Sequence, residues 1–129
     1  MGYTHVTVAV SNLQKSKPAC TAPFLVDPDA IVCLAPGEEL RKAGIEPEGR
    51  EAYELANGTP VEYDFGFARL SFMGSDTVTK IIFGPEGVEP LLGVTALESV
   101  GIGVDPVTQT LKRYAALPLK ALGDVPACL

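Results

Sequence analysis

Histidine and paired cysteine, the residues that build most zinc sites and many nucleophilic sites, are almost missing from this sequence. The 129 residues include one histidine, His5, and three cysteines that form no C-x-x-C pair. A zinc site made of histidine and cysteine is therefore disfavoured, and no serine or cysteine has a base near it in the sequence. The cysteines are best explained as reduced thiols packed as small apolar side chains. Carboxylates remain as the candidates for catalysis.

Basic residues and long apolar runs are also scarce. Ten lysines and arginines against sixteen aspartates and glutamates give a net charge of −6, and no basic run occurs, so nucleic acid is not an expected partner. The longest uncharged apolar run covers residues 30–35, whereas crossing a bilayer takes about 20 residues. The first residues lack the basic and apolar regions of a signal peptide. We therefore expect a cytoplasmic protein that does not bind membranes.

The length of the chain limits it to one domain. A chain of 129 residues has room for one hydrophobic core, and a hydrophobic content of 47% is enough to fill it. The 13 glycines and 11 prolines interrupt the chain too often for long helices. We predict one domain over residues 1–120, followed by a tail, residues 121–129, that docks on its own or a neighbouring subunit.

Alternating apolar and polar residues predict a mainly β fold. The first strand has valines at positions 6, 8 and 10, one face of a half-buried strand. The further predicted strands cover residues 22–26, 30–34, 53–56, 61–65, 67–72 and 77–83. Short helices are predicted at 38–44, where acidic residues come first, basic residues last and Gly44 ends the helix, and around residues 95–101.

Three short motifs predict how these elements are joined and capped. Asn57-Gly58 predicts a type I′ hairpin turn, in which both residues have positive φ. Residues 74–76 are predicted to join the last two strands. Thr95 and Glu98 have the spacing of a capping box, in which each side chain satisfies an exposed backbone N–H of the helix, and Gly101 is placed to end that helix.

One carboxylate stands out by its position. Asp27 directly follows the apolar strand at residues 22–26, where the chain must turn. A charged residue at the end of an apolar strand is either a solvated turn residue or a functional group held in place. Spacing alone leaves both interpretations open.

A second segment extends this observation. Leu91, Leu92 and Gly93 form an apolar-apolar-glycine segment that leads into the second helix. Together with residues 24–30 it resembles the retropepsin-like aspartic proteases, which have an apolar-apolar-Asp-Thr/Ser-Gly-Ala loop and then an apolar-apolar-Gly segment before a helix. Residues 55–58, 82–84 and 104–107 are similar to small single-domain members of that family. The resemblance covers about residues 3–120.

This resemblance implies a fold and a mechanism. The expected fold is the acid-protease fold, a closed β-barrel with one or two short helices, and the expected assembly is a homodimer or higher oligomer with Asp27 of each subunit on the two-fold axis. The two carboxylates would share a proton, so that one polarises the scissile carbonyl while the other activates water. The flap would be Ala56, Asn57, Gly58 and Thr59, which close over an extended polypeptide substrate. No cofactor and no metal are implied.

The predicted active-site loop departs from the family pattern. Where the family has Asp-Thr-Gly-Ala, this chain has Asp27, Pro28, Asp29 and Ala30, and the next position, usually threonine, is Ile31. Pro28 has neither the hydroxyl nor the N–H with which the threonine bonds its dimer mate, and Asp29 adds a charge on the axis. Three interpretations remain: a member with weak or lost activity, an active protease with an unusual loop, or a metal–carboxylate site. The non-enzymatic alternative is a binding or self-assembling module that keeps the fold.

Overall fold

The structure is a computed structural model that describes residues 4–105 and 107–114 of the chain. In these residues the elements are β1 His5–Ser11, β2 Cys20–Val26, β3 Cys33–Pro36, α1 Gly37–Lys42, β4 Gly49–Glu54, β5 Pro60–Phe72, β6 Ser75–Gly84, β7 Leu91–Leu92, α2 Val94–Ser99, β8 Ile102–Asp105 and β9 Thr110–Arg113. The mainly β fold with two short helices is confirmed. The end of the predicted domain at residue 120 and the tail at 121–129 lie outside the described residues.

Seven strands form one sheet in the order β1-β2-β7-β3-β6-β5-β4, and β1 pairs in addition with β5. Six of these strands therefore form a closed circuit of hydrogen-bonded neighbours, and β4 extends it at β5. Strands β8 and β9 form a separate antiparallel pair. Neither helix in the described part of the chain is long and apolar enough to span a membrane.

The core lies inside this circuit of strands. Its largest fully buried side chains come from both helices and most strands: Val8, Phe24, Val26, Cys33, Leu40, Leu70, Ile81, Leu92, Leu97 and Ile102. The predicted alternation in β1 is borne out, because Val8 and Val10 are buried while Thr7 and Ala9 are not. Each large apolar side chain that is fully buried contributes about 1.5–3 kcal/mol through the hydrophobic effect.

Three strand predictions are wrong in their bounds. The strand predicted at 53–56 is β4, which covers Gly49–Glu54 and ends before residues 55 and 56. The segment predicted at 30–34 begins its strand only at Cys33, because the carbonyl groups of Ala30 and Ile31 bind the start of α2 instead of a neighbouring strand. The strands predicted at 61–65 and 67–72 are one strand, β5, which continues through Gly66. A Cβ on Gly66 would lie 2.8 Å from the Glu46 carbonyl oxygen. The glycine is therefore needed because a side chain would clash there, and it does not mark the end of a strand.

The two hairpin turns also differ from the predictions. Asn57 does not have positive φ. Gly58 alone does, with φ +85°, and its N–H donates to the Leu55 carbonyl, so the tip is a type I turn followed by a left-handed glycine. The type I′ geometry occurs at the next hairpin, where Met73 has φ 51° and Gly74 has φ 77°. The predicted connection at 74–76 is therefore two residues, 73 and 74, and Ser75 already belongs to β6.

The predicted helix ends are confirmed, but the capping box is wrong. Gly44 has φ +86° just after α1, and Gly101 has φ +76° just after α2. The N-cap of α2 is Gly93, and no side chain caps the helix. Thr95 and Glu98 are not needed for capping, because carbonyl groups of the loop before β3 accept the first free N–H groups of α2.

Candidate active site

Asp27 lies at the end of β2, directly beside the Leu91–Gly93 segment. Strands β2 and β7 are parallel, with Leu25 opposite Leu91 and Val26 opposite Leu92. The pairing continues one residue further, because the Asp27 N–H donates to the Leu92 carbonyl oxygen at 3.1 Å. The segment around Asp27 and the Leu91–Gly93 segment, which are far apart in the sequence, are thus in contact at the end of β2.

The loop after Asp27 is fastened to the start of α2. The Val94 N–H donates to the Ala30 carbonyl at 2.8 Å, and the Thr95 N–H donates to the Ile31 carbonyl at 3.3 Å. Gly93 is buried beneath this loop, and a Cβ there would lie 2.7 Å from the Val32 carbonyl oxygen. The backbone at the predicted site is therefore fixed on both sides of Asp27.

The Asp27 side chain also helps to form its own turn. Its Oδ1 accepts the Asp29 N–H at 2.9 Å, and the Ala30 N–H donates to the Asp27 carbonyl at 3.1 Å. Pro28 occupies the second position of this turn, which suits its fixed φ. Among the described residues, Asp27 Oδ2 has no hydrogen-bond partner. The aspartate therefore acts as a turn residue through one oxygen and leaves the other available.

The loop exposes an apolar side chain next to its carboxylates. Ile31 is 71% exposed, and Asp29 is exposed beside the half-buried Asp27. Pro28 contributes no N–H donor to this surface. The predicted loop residues and the Leu91–Gly93 segment are thus adjacent, with Leu92 and Gly93 buried beneath the loop that carries Asp27.

The predicted flap is the tip of the β4–β5 hairpin, and all its residues are exposed. Its hydrogen bonds stay within the hairpin: the Leu55 N–H donates to the Thr59 carbonyl at 2.9 Å, and the Thr59 N–H donates to Asn57 Oδ1 at 2.9 Å. Ala56, Asn57, Gly58 and Thr59 make no hydrogen bond with the loop at Asp27 among the described residues. The role of this hairpin as a flap stays a prediction.

Cys33 supports the site in a way that was not predicted. Its buried Sγ accepts the Gly93 N–H at 3.4 Å, and burial raises the pKa of its thiol to about 11. The predicted role as a small buried side chain is correct for Cys33. Its bond to Gly93 depends on a long-range contact, which no local pattern in the sequence indicates.

We expect Cys33 to resist thiol reagents in the folded protein. At about pH 8, a thiol with a pKa of about 11 is a thiolate in only about one molecule in a thousand. In a Cys128→Ser chain, maleimide labelling followed by mass spectrometry should therefore modify Cys20 well before Cys33. Urea should make both sites reactive. Equal labelling rates in the folded protein would contradict the buried placement of Cys33.

The single histidine takes no part in the surface around Asp27. His5 Nε2 lies 2.9 Å from Glu89 Oε2, and both side chains are about half exposed. A contact as exposed as this one contributes at most about 1 kcal/mol to stability. Within residues 4–105 and 107–114, no group of three or more histidine, cysteine, aspartate or glutamate side chains is arranged to hold a metal ion.

Known proteins resemble this chain in structure and not in sequence. No protein-family model and no curated protein sequence matches it. The solution structure of simian foamy virus (mac) protease superposes with a TM-score of 0.53 at 12% identity, covering 73% of this chain and 91% of that chain. EIAV protease complexed with the inhibitor HBY-793 has a TM-score of 0.49 at 15% identity, covering 77% of this chain and 88% of that one. The likeness to simian foamy virus protease and the strand circuit show that the chain has the mainly β acid-protease fold that its sequence predicts.

Proposed function

We propose that this protein is a retropepsin-like aspartic peptidase homologue that hydrolyses peptide bonds as a homodimer. The observation that carries the proposal is the position of Asp27 in a fold like that of a retroviral protease. Asp27 follows β2, its N–H donates to the Leu92 carbonyl, and one of its carboxylate oxygens has no hydrogen-bond partner among the described residues. Fold alone does not establish function, so the chemistry of this loop supplies the argument.

The proposed site needs two copies of the chain. One chain has one Asp27, whereas activation of water between carboxylates needs a pair. Each subunit would supply its Asp27 at a two-fold axis, so neither subunit is an enzyme alone. The exposed Ile31 beside Asp27 supports this assembly, because a partner subunit would remove its side chain from water.

The proposed reaction is a hydrolysis that needs no cofactor. The two Asp27 carboxylates share one proton, since two like charges close together do not both ionise readily. One carboxylate takes a proton from water as the water oxygen attacks the scissile carbonyl carbon, and the protonated one donates to the carbonyl oxygen. As the C–N bond breaks, the carboxyl that took the proton from water donates it to the leaving nitrogen, and a hydroxyl of the tetrahedral intermediate returns its proton to the other carboxylate, so that the dyad again holds one proton.

Activity is expected to be weak. Pro28 cannot donate the hydrogen bonds by which the corresponding threonine of the resembled family holds its dimer mate. Asp29 doubles the carboxylates near the axis, and its N–H is already bonded to Asp27 Oδ1. Both features disfavour close approach of the two subunits.

A second candidate function, a binding or self-assembling module without catalysis, is favoured by the same turn. Asp27, Pro28, Asp29 and Ala30 form a complete hydrogen-bonded turn within one subunit. An aspartate that holds a turn has a structural role of its own. Such a module would bind an extended polypeptide under the predicted flap and leave it uncut.

The test is cleavage of a fluorescently labelled unfolded protein between about pH 4 and pH 7. We expect slow cleavage by the wild type and none by Asp27→Asn. Asp105→Asn is the matched control, because Asp105 Oδ1 also holds a turn by accepting backbone N–H groups, from Val107 and Thr108. Cleavage that survives Asp27→Asn would refute the dyad. Binding without any cleavage would favour the second candidate.

A further inference from the structure

The face of the β4–β5 hairpin that continues the core side of β5 can be identified from the alternation along that strand. The even-numbered residues from 66 to 72 are buried in the core. Successive side chains of a strand point to opposite faces. The same face therefore continues toward the tip through Asp64, Glu62 and Pro60.

The opposite strand completes this core-side face. Residues paired across an antiparallel ladder share a face of the sheet. The pairs on the core side are Arg50 with Asp64, Ala52 with Glu62, and Glu54 with Pro60. Four of these six side chains are charged.

The other face of the hairpin is aromatic. Tyr53 and Tyr63 stack with ring centroids 6.5 Å apart. Lys80 lies over the Phe65 ring, 4.3 Å from its centroid, and forms an ion pair with Glu51. The side of the hairpin that continues the core face is thus charged, and the aromatic residues lie on the opposite side. An apolar ligand would need the opposite arrangement. A charged face of this kind favours a polar ligand over an apolar one.

Glu54 is the carboxylate of this face that forms no ion pair within the described part of the chain. Arg50 lies 3.0 Å from Asp64 Oδ1 and 3.4 Å from Glu62 Oε1, and these two hydrogen bonds raise the pKa of Arg50, that to Asp64 most strongly. Arg41 lies 3.3 Å from Asp64 Oδ2. Among the described residues, no lysine, arginine or histidine nitrogen lies within 4.0 Å of Glu54.

We infer that the polypeptide bound beneath this hairpin is basic, and that Glu54 of each subunit receives one of its lysine or arginine side chains. The inference rests on the proposed function, in which the hairpin closes over the peptide. The Glu54 carboxylate lies near the tip of the hairpin, since its Oε2 is 3.9 Å from the position that a Cβ on Gly58 would occupy. Asp29, which also has no cation partner among the described residues, adds negative charge at the active-site loop.

The test compares peptides that differ only in charge. Three fluorescein-labelled peptides of about ten residues carry lysine, glutamine or glutamate on both sides of a central Leu-Leu pair. Binding is measured by fluorescence anisotropy with the full chain as Asp27→Asn, so that bound peptide is not cut. We expect the lysine peptide to bind about fivefold more tightly than the glutamine peptide, and the glutamate peptide to bind more weakly than both.

Reversing the charge of Glu54 tests whether this residue causes the preference for the lysine peptide. Glu54→Lys should reverse the order of the three peptides, whereas Glu86→Lys should keep it, because Glu86 is also an exposed glutamate but lies in the turn before β7. Equal binding of the lysine and glutamate peptides would overturn the inference and leave the proposed peptide site standing. A lysine preference unchanged in Glu54→Lys would overturn the role of Glu54. No binding of any peptide would overturn both the inference and the proposed function.

Discussion

Replacing Pro28 with threonine and Asp29 with glycine in one chain should raise peptide cleavage at least about a hundredfold over the wild type. Threonine supplies the hydroxyl and N–H donors that Pro28 lacks, so each subunit gains hydrogen bonds that hold its partner across the axis. Glycine removes one carboxylate per subunit from beside Asp27 and keeps the N–H that bonds Asp27 Oδ1. Both changes favour closer approach of the two Asp27 carboxylates.

The measurement is the initial rate of cleavage of the labelled unfolded protein near pH 5, together with the dimer fraction from sedimentation. Three controls accompany the double variant: Pro28→Thr alone, Asp29→Gly alone, and the double variant carrying Asp27→Asn. Pro28→Thr alone measures the effect of restoring the hydrogen-bond donors, and Asp29→Gly alone measures the effect of removing the extra carboxylate. The triple variant should lose the gained activity completely. A double variant that forms a tighter dimer without cleaving peptides would contradict the proposed catalytic role of Asp27.

The local parts of the fold could be predicted because each depends on neighbours in the sequence. Alternating valines place β1, and a glycine marks the end of each helix. The turn chemistry was harder. Asn57-Gly58 was predicted to form a type I′ turn, but Met73 adopts the first position of that turn although methionine seldom has positive φ. The pairing of β5 with β6 imposes this conformation at Met73.

The site could be predicted only in part, because its geometry depends on contacts between distant segments. Composition and spacing indicated that Asp27 follows a strand and could not say which strand lies beside it. Its neighbour Leu92 was expected from the family resemblance. The sequence does not predict the hydrogen bonds from α2 to the carbonyl groups of Ala30 and Ile31. The apolar run at residues 30–34 has the same pattern whether its carbonyl groups bind a neighbouring strand or the start of a helix.

The charged face of the hairpin was missed for a related reason. The sequence around Glu54 shows many acidic residues but not which of them share a face or have cationic partners. That assignment needs the register of β4 against β5, which a one-residue shift would invert. Once the register is known, Glu54 is distinguished from Glu62 by the arginine that binds Glu62 and does not bind Glu54.

Gly93→Ala is expected to destabilise the fold by about 3 kcal/mol and to abolish peptide binding at the same site. The reason is space and not backbone conformation, because Gly93 has φ −85° and ψ 169°, which any residue adopts. Its Cβ would lie 2.7 Å from the Val32 carbonyl oxygen and 2.9 Å from that of Ile31. These are backbone atoms of the loop after Asp27, so the loop itself would have to move.

Gly103→Ala is the matched control for this prediction. Its Cβ would lie 2.5 Å from the Tyr114 hydroxyl, which is closer than any contact at Gly93. Tyr114, however, is 51% exposed and can turn aside, so this variant should lose less than about 1 kcal/mol. Urea denaturation of both variants gives the comparison. If Gly93→Ala unfolds at the urea concentration of the wild type, the loop does not pack on Gly93, and the backbone that positions Asp27 is not fixed from the side of α2.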